Sequence, residues 1–138
     1  MASSNSDHLI VLTHGLNGDH RELQYIEEKI VSIGGIVLNS KCNEGNLSKL
    51  GIINGAQCIA DEIIRFSENH KFRRISLVGM SLGGLYMRCV AKLLFNSDEN
   101  TIAGLTPEVF CAFASPFLGT QRFRLTLLNF FFSNSNSN

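Results

Sequence analysis

Ser81 is the residue with the clearest chemical potential in this chain. It stands in Gly79-Met80-Ser81-Leu82-Gly83, a Gly-x-Ser-x-Gly pattern. A short apolar run, Ile75-Ser76-Leu77-Val78, comes immediately before it, and the helical pattern Leu85, Tyr86, Val90, Leu93, Leu94 comes immediately after. A serine between a strand and a helix sits in a sharp, strained turn that lifts its hydroxyl above the sheet edge. Crowding there demands residues without side chains two positions away on either side, which Gly79 and Gly83 supply. Gly84 allows close packing of the helix. Two other glycine-loop chemistries fail on the residues. A phosphate loop needs Lys after its last Gly, where this chain has Leu85; a dinucleotide loop needs Gly-x-Gly, where Ser81 holds the middle.

Strand, elbow and helix in this order are the setting of the nucleophile in the α/β-hydrolase fold. Attack on an ester carbonyl also needs hydrogen-bond donors for the oxyanion. One is the amide of the residue after the nucleophile, Leu82. The other comes from a loop after an earlier strand. His14-Gly15-Leu16-Asn17-Gly18 occupies that place at the end of Leu9-Ile10-Val11-Leu12, so Leu16 is the second candidate donor and Gly15 lets the backbone turn. The His14 side chain is read as a loop-stabilising group bonded to backbone.

The elements that must position these groups alternate in type. His8–Thr13 reads as a strand buried on both faces. Leu23, Ile26, Ile30 and Ile33 mark a helix face, with Asp19 as its cap, Glu22 three residues on and Gly34-Gly35 as its end. Ile36-Val37-Leu38 is a second strand, and residues 40–50 read as a polar loop. Ile52, Ala56, Ile59, Ile63 and Phe66 mark a second helix. After the Ile75–Val78 strand and a turn over residues 79–84, the third helix runs to about Phe95. Residues 96–106 read as loop, and Val109–Ala114 as a fourth strand. The β-α-β-α-β-α-β order predicts an α/β fold, a parallel sheet flanked by helices.

Composition narrows the function. The chain has 138 residues, enough for one domain or a piece of one, and 44% are hydrophobic, so a core can form. Twelve basic residues balance twelve acidic ones, which gives no electrostatic support to nucleic-acid binding. Cys42, Cys58, Cys89 and Cys111 contain no Cys-x-x-Cys pair, and residues 1–7 form a polar tail without the basic and apolar parts of a signal peptide. Reduced thiols in a cytoplasmic protein are the expectation. No metal or organic cofactor is called for by a serine nucleophile with amide donors, and no apolar run has the ~20 residues of a membrane span. Leu125–Phe132 is apolar and short, at most a peripheral membrane contact, and Ser133–Asn138 is a low-complexity Ser/Asn tail.

Several segments together resemble the lipase-like serine esterases related to the yeast ROG lipases: LIVLTHGLNG at 9–18, Asn43-Glu44-Gly45, Ala60-Asp61-Glu62-Ile63, ISLVGMSLGGL at 75–85 and FASPFLG at 113–119. The resemblance covers about residues 8–120. It implies an α/β-hydrolase fold, hydrolysis of acyl esters or lipids, Ser81 as nucleophile and the His14-Gly15-Leu16 loop on the oxyanion side. Met80 stands where such proteins often have His, and Phe117 replaces the usual His after the fourth strand. A triad in this fold runs Ser, Asp or Glu, His, yet the last histidine is His70, and Asp98, Glu99 and Glu108 come too early. The expectation is therefore a domain cut short after its fourth strand and nearly inactive alone, with residues 121–138 outside the domain. A non-catalytic module that binds a lipid or a protein is the alternative, and a functionless fragment the third reading.

Overall fold

The computed structural model describes residues 7–119. The apolar Leu125–Phe132 segment and the Ser/Asn tail lie outside the described residues. In chain order the elements are β1 (His8–Thr13), α1 (Gln24–Ser32), β2 (Ile36–Asn39), α2 (Ile52–Ser67), β3 (Arg74–Met80), α3 (Leu82–Leu94), β4 (Phe95–Asn96), β5 (Thr101–Ile102) and β6 (Thr106–Phe113). Short 3-10 turns at His20–Leu23 and Gly45–Lys49 precede α1 and α2.

The main sheet is wholly parallel, in the order β2-β1-β3-β6. Parallel neighbours need crossovers, and the helices supply them. β1 is central: Leu9, Val11, Leu12 and Thr13 have no exposed surface. Alternation along a strand sends Leu9, Val11, Ile75 and Leu77 into one cluster, with Ala56, Ile59 and Ile63 of α2 and Tyr86, Met87 and Val90 of α3 packed against them. α2 and α3 approach closely because Gly55 faces the Tyr86 ring; a Cβ there would lie 2.5 Å from its edge carbon. Parallel sheet with helices around it is the architecture read from the sequence.

Four local expectations change. The turn at 79–84 shrinks to one residue, since β3 runs to Met80 and α3 starts at Leu82. The fourth strand of the sheet, β6, begins at Thr106 rather than Val109, and a register shift between Ile75 and Ser76 absorbs Glu108, with Pro107 paired opposite Ile75 and Val109 opposite Ser76. The loop at 96–106 contains the small antiparallel β4–β5 ribbon. The apolar face expected of the first helix is barely used: Leu23 is buried but sits in the 3-10 turn, and α1 itself has no buried residue. Asp19 does cap this segment, accepting from the Arg21 amide at 2.9 Å.

The sheet has two unlike ends. At the amino end Arg74 binds Asp7 at 2.8 Å and approaches Glu108 at 3.9 Å. The Arg74 hydrogen bond holds the Asp7 carboxyl below its ordinary value. The carboxyl end carries the β-to-α loops, where open parallel sheets bind ligands.

Candidate active site

Ser81 occupies the carboxyl end of β3 alone, between strand and helix. Its backbone lies at φ 54°, ψ −121°, a region that residues other than glycine seldom enter. The strain is held by packing on three sides. The Ser81 amide donates to Phe113 O at the end of β6, 2.9 Å away, and the Gly84 amide donates back to Ser81 O at 3.1 Å. A Cβ on Gly83 would lie 2.5 Å from Thr13 O and 2.6 Å from His14 O, so the first turn of α3 rests on the backbone that leaves β1. A Cβ on Gly79 would strike the Gly83 carbonyl, and one on Gly84 would strike Ser115. None of these glycines has a positive φ; each is demanded by close approach.

The loop after β1 is laid directly against this elbow. A Cβ on Gly15 would lie 2.9 Å from Ser81 Cβ and 3.3 Å from its Oγ. Gly15 therefore leaves room beside the hydroxyl, rather than supplying an unusual turn conformation. Residues 15–18 form a tight turn, closed by the Gly18 amide donating to Gly15 O at 3.2 Å, with Asn17 at φ 56°. The Asn17 amide donates to Ser48 Oγ at 2.8 Å. The Leu16 amide between them is engaged by neither bond. Leu82 is the first residue of α3, whose amide a helix leaves without an internal partner. The structure thus brings together Ser81, Gly79, Gly83, Gly15, Leu82 and the loop bearing Leu16.

His14 is fully buried, and its Nδ1 lies 3.0 Å from Gly15 O. A carbonyl only accepts, so Nδ1 carries the hydrogen and the ring holds its own loop. No described residue pairs with Nε2. Nor does any described residue hydrogen-bond Ser81 Oγ. The acids that follow Ser81 are remote: Asp98 and Glu99 lie in the β4–β5 connection, and Glu108 is beside Arg74 at the amino end of the sheet. Six residues of strand separate that end from Met80, roughly 20 Å.

Sequence reading missed the support beneath the Leu16 turn. Residues 40–50, taken as plain loop, form a buttress. Buried Ser48 receives the Asn17 amide and donates to Gly45 O at 2.6 Å, while Tyr86 donates from α3 to Ser48 O at 2.6 Å. Asn43 donates to Gly55 O of α2 at 2.9 Å, and the Gly45 amide donates to Gly18 O at 2.9 Å. Glu44 accepts from the His20 ring at 2.5 Å and from its amide at 3.2 Å, which holds the Glu44 carboxyl below its ordinary value. Burial pushes the Tyr86 phenol up to about 12. The signal was present in Asn43-Glu44-Gly45 and in Ser48, polar residues of types that hydrogen-bond backbone, but their partners are distant in the chain.

A family model described as "Putative serine esterase (DUF676)" matches residues 3–135, nearly the whole chain. The chain belongs to this family. It is also 32% identical over 121 residues to a Saccharomyces cerevisiae protein named "Putative lipase ROG1". That alignment covers 81% of this chain and 17% of the yeast protein, so the chain spans about a sixth of that relative's length. The four-stranded parallel sheet with its flanking helices agrees with an α/β-hydrolase-like fold for this esterase family. Among the described residues, no three His, Cys, Asp or Glu side chains are grouped to hold a metal ion. No helix among them is long and apolar enough to cross a membrane.

Proposed function

We propose that this family member is built for serine-dependent hydrolysis of a carboxylic ester, with a lipid acyl ester as substrate class. Ser81 Oγ attacks the acyl carbonyl, the amides of Leu16 and Leu82 hold the oxyanion, and the alcohol leaves as the acyl-serine forms. Water then releases the acid. The observation that carries this reading is Ser81 at φ 54° in a one-residue turn, with Gly15 packed beside its hydroxyl. Strain of this kind persists only where surrounding structure enforces it, and it aims the side chain away from the sheet. The lipid class is suggested by the name of the yeast relative. No cofactor enters these steps.

The proton of Ser81 needs an acceptor, and no histidine follows it in the 138 residues. Loss of a triad histidine costs on the order of 10⁶ in turnover, while an oxyanion hole alone retains roughly 10³ over water. This reading therefore expects little turnover from these 138 residues assayed without an added base. A non-catalytic reading, with the elbow retained in a lipid- or protein-binding module, is favoured by the same absence of a histidine after Ser81 in these residues. Fluorophosphonate labelling of the 138-residue chain and of Ser81→Ala separates the two. Near-background labelling is expected alone, and added imidazole, standing in for the base, raises it only when Ser81 is present. Strong labelling without imidazole would place a base within the chain. No Ser81-dependent labelling of the folded chain under either condition would leave the binding-module reading in place.

A further inference from the structure

Cys42 and Cys58 stand 16 positions apart with no motif joining them, yet the fold brings them together. Gly55, Cys58 and Glu62, at steps of three and four, share a face of α2. Residues 40–43 run antiparallel along that face and meet it turn by turn. Ser40 Oγ donates to Glu62 Oε2 at 2.5 Å, the Lys41 amide donates to Glu62 Oε1 at 3.4 Å, and Asn43 donates to Gly55 O at 2.9 Å. Between these anchors the Cys58 thiol approaches Cys42 O at 3.7 Å, and Ser40 Oγ lies 3.6 Å from Cys42 Sγ. The two thiols are within hydrogen-bonding reach of each other. Both are free and half-buried, at a seam that solvent still reaches. We infer that Cys42 and Cys58 are an oxidative modification site, a thiol pair that closes to a disulfide by exchange with a small-molecule disulfide such as oxidised glutathione.

A lone buried cysteine behaves as a small apolar side chain. Here two thiols meet instead, between polar anchors that hold loop and helix side by side. A disulfide needs its sulfurs about 2 Å apart, and side-chain rotation within this seam brings them there. Burial, and next the contact with Cys58, push the Cys42 thiol up, which gives Cys58 the first step and Cys42 the second. Cys58 Sγ, as its thiolate, attacks one sulfur of oxidised glutathione, forms a mixed disulfide and expels one glutathione thiolate. Cys42 Sγ then attacks Cys58 Sγ. The bond from Cys58 to glutathione breaks, and the second glutathione leaves with the Cys42 proton. Two protein thiols are oxidised, and one small disulfide is reduced to two thiols. The new bond ties residues 40–43 to α2 and closes a loop that contains Ser48, on which the Leu16 turn rests. No step uses Ser81, so the inference stands apart from the ester-hydrolase reading.

The test is incubation of the reduced 138-residue chain with oxidised glutathione, then proteolysis without reductant and mass spectrometry. The expected product joins the Cys42 and Cys58 peptides within one chain, has lost two hydrogens, and opens again with dithiothreitol. Cys111, exposed on β6, is expected to keep glutathione as a mixed disulfide, which reports that the oxidant is active. The linked chain is expected to melt on the order of 10 °C above the reduced one, from closing a loop of this length. Cys42→Ser is expected to halt at a Cys58–glutathione adduct, and Ser81→Ala to form the link as the native chain does. The same treatment in urea, where the contact is lost, is expected to scatter the pairings. Glutathione retained on Cys58 of the native chain overturns the inference, because Cys42 then fails to reach that sulfur. So does a folded chain in which Cys42 and Cys58 stay reduced while Cys111 reacts, or a link between two chains or to Cys89. A Cys42–Cys58 link no more frequent in the folded chain than in urea overturns it as well.

Discussion

β1 and β6 belong to the same parallel sheet but live in different surroundings. β1 lies between β2 and β3, and four of its six residues have no exposed surface. β6 pairs with β3 alone, and six of its eight residues are exposed, including Val109 and Phe110. Parallel strands are ordinarily covered on both faces. The part of the sheet that carries the Ser81 elbow is thus enclosed by α2, α3 and the loop after β1. The β6 flank, with a cavity of about 620 Å³ lined by Val109, Phe110, Phe117 and Ala91, is not enclosed by the described residues. The elbow meets β6 at its carboxyl end, through Ala112 and Phe113 O, and then Ser115 just beyond the strand. Stability and site geometry should therefore respond to changes on the β1 side and little to changes along β6.

The largest effect is expected from Ile59→Ala in α2. Ile59 has no exposed surface and sits in the cluster between α3 and the sheet. Removing buried methylenes and leaving a cavity costs about 2–5 kcal/mol. Urea denaturation measures it; a cost under about 1 kcal/mol would mean the enclosed side is as loose as the β6 flank.

Gly83→Ala comes next. Its Cβ would meet two backbone oxygens, which cannot rotate away, so α3 must lift from the end of β1. Overpacking of this kind costs about 1–3 kcal/mol. It should also spoil Ser81 labelling in the presence of imidazole, because the same movement separates the elbow from Gly15. Loss of stability with labelling intact would show that the elbow does not depend on this contact.

How far such contacts were legible in the sequence differs between residues. Gly79, Gly83 and Ser81 announced a crowded strand-to-helix turn, because crowding leaves few alternatives at those positions. β1 and β3 were legible because strands covered on both faces are continuously apolar. The periodicity of Leu23, Ile26, Ile30 and Ile33 showed a face but could not show what covers it, and in the structure little does. The β4–β5 ribbon was invisible because two-residue strands have no period; its turns rest on Asn100, Ala103 and Gly104 at positive φ. The buttress of Ser48, Tyr86 and Asn43 joins residues up to 38 positions apart, and single-sequence patterns do not encode such pairings.

Tyr86→Phe tests that buttress. The phenol donates to Ser48 O in a buried position, and removing it leaves a carbonyl without that donor, at about 1–2 kcal/mol. The pH dependence has a definite sign. The Tyr86 phenol is raised from 10 to about 12 in the folded chain. Its contribution is therefore complete below pH 10 and is lost as pH rises from there to about 12. Alkaline denaturation followed by circular dichroism should show a steeper fall over that range in the native chain than in Tyr86→Phe. Parallel curves would assign the alkaline transition to other groups.

The smallest effect is expected on β6. Phe110 is 48% exposed, so Phe110→Ser removes a side chain that the described residues cover only in part. Surface changes of this kind fall within about 0.5 kcal/mol, and the backbone bond from Ser81 to Phe113 is three residues further along. Stability and imidazole-dependent labelling should both stay close to those of the native chain. A loss comparable to that of Ile59→Ala would mean that Phe110 is covered in solution, and the contrast between β1 and β6 would then belong to the described residues and not to the whole chain.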